Sequence, residues 1–102
     1  MHYSSLKDFL ARGAAVLGKG PVALVFCEDE VEIDTTLRHH QQLGFRAVVA
    51  FMPAVFTLPP DLRETVQRVD YEMTREGALQ SAVGAVNEAA PGLWLFYCYN
   101  AE

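Results

Sequence analysis

Two short stretches of this sequence carry side chains able to do chemistry: Cys27-Glu28-Asp29-Glu30, and Cys98-Tyr99-Asn100 with Glu102 just beyond. Each follows directly on an apolar run of strand-like composition. Carboxylates placed at strand ends accept hydrogen bonds from a base or a ribose, or hold a divalent cation through oxygen. The competing role is local. Asp29 or Glu30 can cap the helix that follows, where an acid is favoured at the positive end of the dipole.

Other chemistry-bearing residues are less well placed. His39 and His40 are sequence neighbours, so on a helix their side chains point about a hundred degrees apart and cannot chelate one ion together. The spacing instead packs His40 on a sheet and leaves His39 in solvent. Gly13, Gly18 and Gly20 precede the first apolar strand, whereas a dinucleotide fingerprint must follow it. No serine or cysteine nucleophile motif is present. Two cysteines in a chain of 102 residues make no disulfide framework, and both lie in apolar runs, which reads as buried free thiols. The aromatic cluster Trp94, Phe96, Tyr97 and Tyr99 reads as core and edge packing.

The elements that would position these residues follow from periodicity. Leu6, Phe9, Leu10 and Val16 recur at helical spacing, predicting a helix over Ser4–Leu17 with Ser5 as cap and Asp8 in the first turn. Val22–Cys27 is continuously apolar, as a central strand covered on both faces must be. A helix over Glu30–Leu43, with Ile33, Leu37, His40 and Leu43 on one face, closes at Gly44, and Phe45–Phe51 is a second apolar strand. Met52–Pro60, with three prolines, is a loop. A short helix over Asp61–Val66 and a short edge strand over Gln67–Tyr71 come next. Thr74 is placed to cap a helix whose stripe is Leu79, Ala82, Val83, Val86 and Ala89. Pro91-Gly92 turns the chain into a last strand, Leu93–Tyr99.

This alternation predicts one α/β domain over residues 1–102: a three-layer Rossmann-like sandwich on a mostly parallel sheet of about four strands, order 3-2-1-4. In such a sheet ligands bind beyond the carboxyl ends of the strands, at the switch point of strand order. The expected switch brings the two chemistry-bearing stretches together.

The composition narrows the partners. Acidic residues outnumber basic ones, 13 to 8, and the formal charge is −5, which argues against nucleic acid because phosphate backbones are bound by clustered Lys and Arg. Arg38, Arg46, Arg63, Arg68 and Arg75 are scattered. The first seventeen residues interleave Lys7, Asp8 and Arg12 with apolar ones, unlike a signal peptide, and the apolar stretches are too short to span a bilayer. The expectation is a cytoplasmic protein with no membrane span. An open sheet edge makes a homodimer an expected option.

The run from Cys27-Glu28-Asp29-Glu30 to His40-Gln41-Gln42-Leu43-Gly44-Phe45 resembles the opening of family 2 glycosyltransferases, particularly the branch similar to family 92. There a first strand leads to a Lys-Asn-Glu-like motif, then to a helix ending His-x-x-Leu-Gly, then to a second strand. Glu30 falls on the motif's Glu, and His40, Leu43 and Gly44 fall on the helix end. The resemblance implies the nucleotide-binding half of a GT-A type fold, with a nucleotide-sugar across the strand tips. Glu28, Asp29 and Glu30 would contact the nucleoside, Asn100 would lie near the phosphates, and Glu102 would serve a Mg or Mn ion. The pattern departs from the family at two places. Phe51-Met52-Pro53-Ala54 stands where an Asn-x-Ser-x-Asp-like motif is usual, and Tyr99 and Ala101 stand where the metal-binding Asp-x-Asp acids belong. The expectation is therefore a truncated or degenerate, non-catalytic relative. Leu24–Val49 also resembles the opening of a response-regulator receiver, though Tyr97 or Cys98 stands where its phosphorylated aspartate would be. A plain protein-interaction module is the third class.

Overall fold

β2 (Val22–Phe26) lies at the heart of the fold, and all five of its residues are buried. The computed structural model describes residues 1–17 and 21–100. Around β2 the order is β1 (His2–Tyr3), α1 (Leu6–Arg12), a 3-10 turn (Ala14–Leu17), β2, a 3-10 turn (Glu30–Glu32), α2 (Ile33–Gln42), β3 (Ala47–Met52), α3 (Pro60–Thr65), β4 (Gln67–Asp70), α4 (Ala78–Ala89) and β5 (Leu95–Tyr99). The sheet order is β1-β4-β3-β2-β5, with every pairing parallel. From β2 the chain builds outward through β3 to β4, then returns to lay β5 on the other side of β2.

Alternate residues of the strands feed two cores. Val22, Leu24, Phe26, Val49, Phe51 and Val69 join Phe9 of α1 with Ala82 and Val86 of α4. Ala23, Val25, Val48, Ala50 and Met52 join Ile33 and Leu37 of α2 with Leu62 of α3. This is the period-two alternation of a strand buried on both faces, and it makes a three-layer Rossmann-like domain. The stacked rings of Phe26 and Phe51, centroids 4.8 Å apart, tie β2 to β3 at their carboxyl ends. Among the described residues no helix is long and apolar enough to cross a membrane.

The expected four-stranded sheet of order 3-2-1-4 is corrected by a fifth strand. His2 and Tyr3 pair with Arg68 and Val69, so β4 is interior rather than an edge. The N-terminal ammonium fixes this strand by donating to the carbonyls of Arg63 and Val66, at 3.0 and 3.2 Å. Two residues carry no periodicity, so nothing in the sequence announces them. The first helix is also shorter than expected. Ser5 caps it, accepting from Asp8 N at 3.0 Å, but it ends at Gly13. A Cβ at Gly13 would stand 2.7 Å from the Phe9 ring and 2.8 Å from the Tyr3 hydroxyl, so any side chain there forces one of them to shift.

Three smaller expectations fail for local reasons. Leu43 is 58% exposed, because α2 ends before it and Gly44, at φ +90°, turns the chain away. Thr74 does not cap α4, which starts four residues later behind Gly77 at φ +76°; its hydroxyl donates to Glu72 instead. Ala89 is exposed at the end of α4, while Ala78, Ala82 and Val86 form the buried stripe.

Candidate functional site

β2 and β5 are paired in register from Val22 with Leu95 to Phe26 with Tyr99, so both strands end at one level. Asn100 takes the next position. It is 3% exposed, and its backbone N–H continues the ladder to the Phe26 carbonyl at 3.0 Å. Its side-chain oxygen accepts from Glu28 N at 2.7 Å and from Asp29 N at 3.3 Å, and its Nδ2 donates to the Asp29 carbonyl. The Thr36 hydroxyl of α2 donates to the Asn100 carbonyl at 3.1 Å. One buried amide thus clamps the loop after β2 onto the end of β5. Each such bond contributes about 0.5–1.5 kcal/mol net.

The acids hang outside this clamp. Glu28 is exposed. Asp29 is exposed and caps the 3-10 turn, accepting from Val31 N at 2.9 Å, which is the local role its position suggests. Glu30 reaches sideways: its Oε2 accepts from Thr57 N at 3.1 Å, bridging to the loop after β3. That loop is held at its other end by Arg68, a buried guanidinium on β4. Arg68 donates to the Pro53 and Ala54 carbonyls, at 3.3 and 3.1 Å, and to Asp70 at 3.1 Å. Between the two loops lies a cavity of about 380 Å³, lined by Glu30, Ile33, Asp34, Thr57, Leu58 and Pro59. It opens at the carboxyl ends of β2 and β3.

The residues singled out from the sequence therefore divide. Glu28, Asp29 and Asn100 meet at the β2–β5 junction, but both ends of the Asn100 amide are engaged by backbone rather than aimed outward. Glu30 faces the neighbouring cleft instead. Glu102 lies outside the described residues. Asp34 and Thr57 were not legible as site residues. Asp34 reads from sequence as an ordinary first-turn acid, and Thr57 sits in a proline-rich loop without periodicity.

No protein-family model matches the chain, and comparisons with curated proteins and with solved structures find no match either. Its chemistry rests on its own residues.

Those residues do not suit a divalent cation. A hard cation on a diphosphate takes several oxygen ligands, usually including carboxylates. Among the described residues no group of three His, Cys, Asp or Glu side chains is close enough to hold one. What the arrangement can do is exchange hydrogen bonds: Glu30, Asp34 and Thr57 line a cleft with Leu58, Ile33 and Pro59 in its walls.

A second cavity, of about 360 Å³, lies on the other side of the clamp, against α2 and β5. Thr35, Thr36, His39, His40 and Cys98 line it. His40 is 6% exposed and Cys98 half-buried, whereas Cys27, one strand inward, is fully buried. Burial pushes the Cys27 thiol up to about 12.

Proposed function

We propose that this chain is the nucleotide-binding half of a glycosyltransferase-like domain of the GT-A, family 2 type, holding the nucleoside end of a nucleotide-sugar at the carboxyl ends of its strands. One observation carries the reading. The Glu30 carboxylate lines the strand-end cleft while tied to Thr57 N, so it is presented at a fixed place rather than waving in solvent. A fixed carboxylate accepts from ribose hydroxyls or a base N–H without a large ordering cost. The position of Glu30 agrees with the resemblance, in which the acid after the first strand contacts the nucleoside.

The reading stops at binding. The described residues hold no set of acids for a metal on the diphosphate, and Tyr99 occupies the place where an acid would begin that set. Three exposed acids at the loop after β2 also repel a diphosphate. The nucleoside therefore supplies the attraction. Equilibrium binding of uridine, UDP, guanosine and GDP, each with and without manganese, tests this. The expected result is binding of one nucleoside at millimolar concentration or tighter, with its diphosphate no tighter when manganese is omitted. No binding of any of the four sinks the proposal.

A second reading is favoured by a different surface. β5 is a sheet edge, and Trp94, Tyr97 and Phe96 around it are 80, 51 and 45% exposed. Aromatic residues so placed suit a protein-interaction module, with a second copy of the chain as the simplest partner. A molar mass that stays monomeric at high protein concentration excludes the homodimer.

A further inference from the structure

His40 and Cys98 are 58 residues apart in sequence and meet in the wall of the second cavity. Cys98 Sγ lies 3.5 Å from His40 Nε2. The other ring nitrogen, Nδ1, lies 2.8 Å from the Thr36 carbonyl oxygen. A carbonyl only accepts, so Nδ1 carries the proton and Nε2 of the neutral ring is an acceptor directed at the thiol. Phe45 and Phe96 pack against the imidazole at centroid distances of 6.1 and 5.6 Å, with their own rings 5.7 Å apart. Nucleophile, base and an orienting group for the base therefore stand in sequence, the arrangement that activates a thiol.

We propose that Cys98, with His40 as its base, is a nucleophilic thiol that exchanges with small disulfides entering the cavity beside α2. The thiol proton passes to His40 Nε2, and the thiolate attacks one sulfur of the disulfide. A new S–S bond forms to Cys98 as the old one breaks. The departing thiolate takes the proton back from His40. One protein thiol and one disulfide thus become one mixed disulfide and one small thiol. Among the described residues, the titratable groups beside Cys98 are His40 and His39 of α2, Tyr99 of β5, and Cys27 just beyond β2. Cys27 is the internal control: it is fully buried, its sulfur lies against its own chain, and it stays protonated. The inference is independent of nucleotide binding.

The test is the rate of alkylation by iodoacetamide, mapped by peptide mass spectrometry, against N-acetylcysteine as reference. At about pH 6 Cys98 should label about tenfold faster than the reference, as a thiol that hands its proton to a neighbouring imidazole requires. Cys27 should stay unlabelled in the folded protein. His40→Gln should slow Cys98 about tenfold at that pH and leave little difference near pH 9, where any accessible thiol ionises. Oxidised glutathione should then add one glutathione, at Cys98. A Cys98 rate equal to the reference at pH 6 overturns the proposal, as does an unchanged rate in a folded His40→Gln protein. If that variant does not fold, the wild-type pH profile decides alone. Fast alkylation with no glutathione adduct overturns the disulfide as the reactant.

Discussion

The side-chain amide of Asn100 closes on the backbone of Asp29, accepting from its N–H at 3.3 Å and donating to its carbonyl. An amide that satisfies both polar groups of one residue stands in for a strand partner. It extends the β2–β5 pairing one step past the last backbone ladder bond and sets the height at which Glu28, Asp29 and Glu30 leave the sheet. The position of the acids is thus decided by a residue 70 or more positions away along the chain.

Replacing Asn100 with Ala should destabilise the fold by about 1–3 kcal/mol, because two partly buried N–H groups lose their acceptor and the Asp29 carbonyl loses its donor. Urea unfolding would show a lower midpoint at unchanged slope. Asn100→Asp keeps the acceptor but sets a carboxylate oxygen against the Asp29 carbonyl, so it should fall short of wild type as well. A variant as stable as wild type would show that the clamp contributes nothing.

Glu30→Gln separates binding from folding. The glutamine carbonyl can still accept from Thr57 N, so the loop after β3 should stay in place and the unfolding midpoint should move little. Loss of the charge-assisted bond to a ribose or base should weaken nucleoside binding about tenfold, or about 1.4 kcal/mol. Titration calorimetry on both proteins reads this directly. Equal affinities would remove Glu30 from the site.

Gly13→Ala introduces a methyl where 2.7 Å separates the Cβ position from the Phe9 ring. Phe9 is fully buried and cannot retreat freely. Overpacking of this kind costs about 1–3 kcal/mol. A thermal midpoint several degrees lower is expected, and an unchanged one would mean that Phe9 and Tyr3 yield without cost.

The Arg12 guanidinium, bonded to both carboxylate oxygens of Asp8, holds that carboxyl well below the usual range; Ser4 adds two further bonds. A depressed folded-state pKa means stability that is fully present above the unfolded value near 3.9 and is lost as pH falls through the folded value. The pair is exposed, so its contribution is small. Carbon-13 shifts of the Asp8 carboxyl should titrate below those of exposed aspartates, and Arg12→Ala should return the midpoint towards the ordinary value. A normal midpoint in the wild type would contradict the pairing.

How much of this was legible depends on the range of the interaction. β2, α2 and β3 were readable because each carries a continuous apolar run or a helical stripe, and Gly44 marks the turn between the last two. Glu28–Glu30 could be placed at a strand end for the same reason. β1 was not readable, since two residues held by a charged terminus and a neighbouring strand have no pattern of their own. Asn100 reads as a ligand in the sequence because a polar residue at a strand tip suggests one. Its actual partners are backbone atoms more than seventy residues away. The Glu30–Thr57 bridge and the Cys98–His40 pair are tertiary in the same sense. His40 illustrates both cases: its packing on the sheet follows from the α2 stripe, while its sulfur partner does not.

Nucleoside binding in the strand-end cleft is read out residue by residue by amide chemical-shift mapping. Isotope-labelled protein is titrated with UDP and then GDP, each with and without manganese, using magnesium where line broadening matters. Shifts should concentrate in residues 28–34 and 57–58, with one base preferred over the other. Shifts scattered over the surface, or none at millimolar ligand, would contradict binding there.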